Sequence, residues 1–168
     1  MSNDDLIEHR QHSVDGDNWD GATRTLQLLR AGLFQFGIFA DEIAAVAAWR
    51  EPTPLPHAPN SVLGVVSIQG RMLTVLDLAT LPDREYESPA ATVQHLVALR
   101  GDEQLALAVD ELGETIEFAD SDFDITREIG ETFILGVVNR DGTDIFILDS
   151  KELFPTAIQG RERRRRRF

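Results

Sequence analysis

The chain has 168 residues, 42% of them hydrophobic, which suffices for one core of ordinary size and leaves little room for a separate catalytic module. It contains no cysteine, which excludes a disulfide framework, a thiolate zinc site and a cysteine nucleophile. The formal charge is −13, yet RERRRRRF at Arg161 to Phe168 holds six Arg against one Glu, so the chain before it carries −18 and repels nucleic-acid phosphates.

In chain order, residues 1–23 are rich in Asp, Asn and Gly, lack apolar periodicity and read as a mobile acidic segment. Its DGDNWDG stretch fails as a calcium loop. Trp19 and Asp20 stand where an EF-hand needs a ligand and a Gly, and Leu26 stands where it needs a bidentate Glu. His9 and His12 share this segment and form no metal site on a rigid element, so neither a metal nor a cofactor is expected. The acidic, polar opening MSNDDLIEHR and the lack of an apolar run near eighteen residues predict a cytoplasmic protein without a membrane span.

From Arg24 onward, runs of Val, Ile, Leu and Phe are broken by Gly, Pro and Asp at short intervals, the signature of strands and turns. Strands are predicted at Thr25–Arg30, Leu33–Phe39, Ile43–Arg50, Val62–Ile68 and Leu73–Leu76. A second set follows at Val93–Arg100, Gln104–Val109, Thr115–Phe118, Phe133–Asn139 and Ile145–Leu148. Between the sets, PDREYESPAA reads as a connector. Gln69-Gly70 and Asp141-Gly142 suit tight hairpin turns. Helix is scarce. DLATL and DSKEL are candidate single turns of helix, with Asp77 and Asp149 placed to cap free amides and Glu152 completing a capping-box spacing. The Arg-rich stretch 158–168 reads as a solvated tail, able in principle to meet a polyanion.

The two sets repeat one another. LGVVSIQGRMLTVLDLATL, from Leu63, and LGVVNRDGTDIFILDSKEL, from Leu135, agree at Leu, Gly, Val, Val, Gly, Leu, Asp and Leu when aligned seventy-two positions apart. FADEI, from Phe39, is echoed more weakly by AVDEL, from Ala108. Two units of about sixty residues each bury too little apolar surface to stand alone, so they must dock on a shared core. The expectation is one all-β domain over 24–157. It would consist of two similar five-stranded barrels, made of the halves 24–81 and 92–154, around a common hydrophobic interior.

The run FADEIAAVAAWREPTPLPHAPNSVLGVVSIQGRMLTVLDL resembles the CheW-like chemotaxis coupling family, with its TPxPxAP segment followed by LGVxNLRGxxxPVxDL, and FILGVVNRDGTDIFILDSKELF is similar to that family's closing hairpin. The resemblance implies two intertwined β-barrels and a non-enzymatic scaffold in signal transduction, an adaptor joining chemoreceptor signalling tips to the regulatory domain of a histidine kinase. It also implies protein–protein contacts at Ile43, Val46 and Gly64, and a Glu–Arg ion pair near the partner surface whose positions map to Ala45 and Gln69. Both members of that pair are absent here, which marks a divergent chain. Self-association is left open. The rival reading is a stand-alone regulatory or small-molecule-binding double barrel.

Two further motifs have plainer readings. The proline-rich TPLPHAP could serve an aromatic-lined groove as a ligand, but is better read as a stiff strap between strands. The repeat-related Asp77 and Asp149 could imitate the paired carboxylates of an aspartic protease. They are followed by Leu78-Ala79 and Ser150-Lys151 rather than by a small residue and Gly, so capping is preferred and no catalytic residue is assigned.

Overall fold

Alternating apolar residues bounded by turns produce ten strands among the described residues, the number predicted. In the computed structural model, which describes residues 23–81, 93–119 and 132–158, these are β1 (Thr23–Ala31), β2 (Phe34–Phe39), β3 (Ile43–Ala48), β4 (Val62–Ile68), β5 (Arg71–Asp77), β6 (His95–Leu99), β7 (Leu105–Val109), β8 (Glu111–Ala119), β9 (Ile134–Arg140) and β10 (Thr143–Leu148). A 3₁₀ turn, Ala40–Glu42, joins β2 to β3, and a short helix, α1, spans 153–158. DLATL forms turns without helix, and α1 begins only at Leu153, the last residue of DSKEL. The acidic N-terminal segment with its DGDNWDG stretch, the Pro82 to Ala91 connector and the Arg-rich tail lie outside the described residues.

The repeated hairpins fold alike, down to their irregularity. In the first, Val62 pairs with Leu76 and Gly64 with Val75, leaving a bulge between; in the second, Ile134 pairs with Leu148 and Gly136 with Ile147, with the bulge at the same place. Both close through two residues of positive φ, 51° and 77° at Gln69 and Gly70, 52° and 80° at Asp141 and Gly142. Two positive φ angles in succession match the right-handed twist of the flanking strands, and Gly at the second position takes one of them without steric cost.

The strands form two five-stranded sheets, β8-β1-β2-β10-β9 and β3-β6-β7-β5-β4. Replacing each strand by its repeat partner converts one order into the other. Two expectations are corrected here. First, the sheets are not the sequence halves 24–81 and 92–154. The chain crosses over at Ala40–Glu42, inside FADEI, and crosses back at Asp110, inside AVDEL, so the second sheet is the continuous stretch from β3 to β7 and the first sheet takes the strands on either side. Each repeat has given its last three strands to the other's sheet. Secondly, the sheets are open rather than closed barrels. β8 and β9 are the two edges of the first sheet and do not pair; an ion pair of 3.5 Å from Arg140 to Glu114 spans them.

Three apolar clusters follow from this exchange. One lies within the curl of the first sheet (Leu26, Phe39, Ile116, Phe118, Val138, Ile145), and one within the second (Val66, Leu73, Val75, Leu96, Ala106). The third lies between the sheets and holds Leu29, Phe36, Ile38, Leu76, Leu107, Phe133, Leu148 and Leu153. This is the expected shared core. All-apolar strands such as β7, with LALAV buried on both faces, are explained by their place between clusters.

Candidate functional site: an uncharged edge strand and the turn beside it

β3 reads IAAVAA, six residues without a charge, and it is an edge of the second sheet. Its inward side chains, Ala45 and Ala47, pack with Trp49 and Leu63 on the second sheet's own cluster, while Ile43 packs on the core between the sheets. Ala44, Val46 and Ala48 face out, and Val46 is 48% exposed. Natural edge strands are usually guarded by charge, proline or a bulge on the outer face, so an apolar edge of this kind is the candidate docking surface.

Past Trp49 the chain becomes the proline strap. Thr53 and Val65 exchange two backbone hydrogen bonds of 2.9 Å, so the strap adds a short antiparallel pairing to β4 and covers that edge. Arg50 donates from Nη2 to the Ser67 carbonyl at 2.6 Å. Pro52 is buried beneath the chain at Gly64, whose φ is +143°. The strap is therefore structural, as expected, with Gly64 as its seat.

The fold and this site invite comparison with known proteins. The model of the CheW-like domain family matches residues 26–157. The chain belongs to the CheW-like family. Among its relatives, the chemotaxis protein CheW of Rhizobium meliloti (strain 1021) is 28% identical over 139 residues, which cover 79% of this chain and 88% of that protein. A probable chemotaxis protein CheW of Rhizobium etli (strain ATCC 51251 / DSM 11541 / JCM 21823 / NBRC 15573 / CFN 42) is 26% identical over 135 residues, 78% of this chain and 87% of the other. The crystal structure of the scaffolding protein TtCheW from Thermoanaerobacter tengcongensis superposes with a TM-score of 0.70 at 17% identity, covering 79% of this chain and 93% of that one, a likeness of fold.

Within this CheW-like chain the five residues picked out from the sequence all fall on the second sheet, but they divide. Val46 and Gln69 are exposed, Ile43 and Ala45 are half-buried, and Gly64 is buried. Ala45 does not suit an ion pair with Gln69, because its side chain points into the sheet's interior. The segment after β3 is held beside β4 by the Arg50 bond to the Ser67 carbonyl and by the isolated Thr53–Val65 pairing.

The repeat-related aspartates do not cap helices, since no helix follows Asp77 and α1 starts four residues past Asp149; each closes an Asx turn. Asp77 Oδ1 accepts the Ala79 amide and Asp149 Oδ1 the Lys151 amide, each at 3.1 Å, two residues on rather than three. The Glu152 amide goes to the Asp149 carbonyl instead, so the capping box is not formed. No group of three or more metal-ligating side chains occurs among the described residues. Burial pushes the Asp77 carboxyl above its ordinary value of 3.8; the Ala79 amide opposes this and nearby Asp110 adds to it. A carboxyl with a raised folded pKa binds its proton more tightly when native. Its stabilising contribution is full below about pH 3.8 and is lost as pH rises through the raised value. Asp77→Asn keeps an oxygen for the Ala79 amide and removes the buried charge. Thermal melts at pH 7 should therefore show no loss of stability, with a flatter decline above pH 3.8, whereas Asp77→Ala, which loses the bond to the Ala79 amide, should cost about 1 kcal/mol.

Proposed function

We propose that this CheW-like chain is a cytoplasmic, non-enzymatic scaffold of chemotaxis-type signal transduction that couples chemoreceptors to a histidine kinase, with β3 and the Gln69 turn as a docking surface. The observation that carries the docking surface is the bare edge strand, which exposes Val46 and bears no charge over six residues. The coupling role is supported by relatives whose names are those of chemotaxis and scaffolding proteins. No helix among the described residues is long and apolar enough to cross a membrane. The open trough between β8 and β9, lined by Glu117, Asn139, Arg140 and Asp144 beside Ile116 and Phe118, offers a small molecule no enclosure, so the scaffold reading is preferred to the ligand-binding one.

The family's Glu–Arg pair maps to Ala45 and Gln69 in this chain, so a partner meets no ion pair there. An exposed ion pair is worth only about 0–1 kcal/mol, and its paired loss costs the fold little. The test immobilises the protein and offers the kinase regulatory domain and the receptor signalling tip of the same organism. Capture of either at tens of micromolar is expected, with Val46→Asp weakening it at least about tenfold at unchanged melting temperature. Failure to capture either domain would remove the coupling role and favour a stand-alone regulator.

A further inference from the structure

We propose that the arginine run Arg163–Arg167 of this chain docks on its own first sheet, in the open trough between the edge strands β8 and β9, with guanidinium groups on Glu117 and Asp144. The inference stands on the trough and does not require the coupling role.

Three observations converge on it. First, the trough holds uncompensated negative charge. Glu114 is taken by Arg140 at 3.5 Å, and Glu111 by Arg30 at 2.7 Å. Glu117 and Asp144 line the trough, are exposed, and have no ion-pair partner among the described residues. Asp144 accepts the neutral Asn139 amide, from Nδ2 at 2.9 Å, which leaves its charge unbalanced. The apolar floor between these carboxylates, with Ile116 and Phe118 on one side and Val137 and Val138 on the other, suits the methylene stem of an arginine. A guanidinium already lies on the adjoining aromatic pair: Arg24 Cζ is 3.4 Å from the centroid of Phe39, which stacks on Phe118 at 6.1 Å.

Secondly, charge selects the occupant. Of the stretches outside the described residues, 1–22, 82–92 and 120–131 are each net acidic, and the trough repels them. The stretch 159–168 is net basic, with six Arg against one Glu. Thirdly, the chain leads it there. Thr132 Oγ1 and Thr156 Oγ1 lie 3.2 Å apart, so α1 ends beside the start of β9. The β9 side of the trough, Val137–Arg140, lies five to eight residues beyond Thr132, roughly 17–26 Å along the strand. The same count of extended residues beyond Ile158 reaches positions 163–166, inside the run of arginines. Each exposed contact is weak, but a tethered segment meets its site at high effective concentration.

The other repeat supplies a precedent. In the second sheet β4, the counterpart of β9, has an extended segment laid along it, with Arg50 bonded to the Ser67 carbonyl, and Ser67 is the repeat counterpart of Asn139 in the trough. With the tail docked, the edges of the first sheet are covered and β3 is the edge left for partners.

The absence of cysteine permits a single nitroxide label at Arg165→Cys in the full chain. At about 50 mM salt the amides of Thr115–Phe118 and Val137–Arg140 should lose at least about half their intensity to the label, and those of β3 should be unaffected. The loss should be reversed at about 500 mM salt, where exposed charges are screened. It should also be reversed in the double variant Glu117→Gln, Asp144→Asn, whose exposed substitutions leave the melting temperature unchanged. An equal mixture of isotope-labelled parent chain and isotope-free nitroxide-bearing chain should show no loss. Loss in that mixture would assign the contact to the tail of a second copy and overturn the proposal. Broadening that is absent, spread evenly over both sheets, or insensitive to the double variant would overturn it as well.

Discussion

Gly64→Ala lowers the stability of the domain by about 3–5 kcal/mol and releases the proline strap. The reason is a close approach that only a residue without a side chain permits. At Gly64 the backbone has φ +143°, and a Cβ there would overlap the Thr53 carbonyl oxygen, lie 2.7 Å from the Thr53 carbonyl carbon and 3.1 Å from Pro52 Cβ. Those atoms belong to the strap's backbone and a proline ring, neither of which can swing aside as a flexible side chain could. Relief must come from lifting the strap, which breaks both 2.9 Å hydrogen bonds between Thr53 and Val65 and uncovers the edge of β4. Gly70→Ala is the matched control. Its φ is +77°, but nothing lies within 4 Å of the added carbon, so the cost is conformational alone, about 1 kcal/mol. Urea unfolding of both variants, with amide exchange at Thr53 and Val65, separates the two effects. A Gly64→Ala loss no larger than that of Gly70→Ala would mean that the strap is not clamped.

Phe36→Ala should cost about 3–5 kcal/mol and shift one cooperative transition as a whole. Phe36 is fully buried in the cluster between the sheets, and its ring lies 6.0 Å from that of Phe34 and 6.3 Å from that of Phe146. Its strand, β2, is central in the first sheet, antiparallel to β1 and parallel to β10, where Phe36 pairs with Phe146. Because the repeats have exchanged strands, neither sheet can unfold without dragging on the connections of the other. Calorimetry should show equal calorimetric and van't Hoff enthalpies for the parent chain and the variant alike. Two separable transitions would show that the sheets are independent units.

Much of this architecture is a local matter and was legible as such. Strand positions follow from short apolar runs and their punctuation, and all ten predicted strands are present with shifts of a few residues at their ends, as where β8 starts at Glu111 instead of Thr115. The Gln69-Gly70 and Asp141-Gly142 turns were readable because positive φ at consecutive positions selects those residue types. At Asp77 and Asp149 the bonding of the side chain to a nearby amide was readable for a similar reason, being a contact between neighbours two residues apart, but it closes an Asx turn rather than capping a helix. The resemblance to the family pointed to β3 as a docking strand and mapped the ion-pair positions to Ala45 and Gln69. In a strand that is apolar at every position, and bulged against β6 between Ile43 and Ala45, spacing alone cannot say which side chains face out.

Duplication, the succession of ten strands, the turns that join hairpins and the need for a shared core were determined by the sequence itself, because each depends on residue chemistry over short spans or on the surface a sixty-residue unit can bury. Which sheet each hairpin joins was decided only in three dimensions. The strands β3 to β5 would satisfy the same alternation and the same hydrogen bonds in either sheet. What assigns them to the second is the direction the chain takes through Ala40–Glu42 and the depth of the cluster between the sheets, where Phe36, Leu107 and Phe133 meet from distant parts of the chain. The same holds for Gly64: a glycine can be seen in the sequence, but the strap pressed against it cannot.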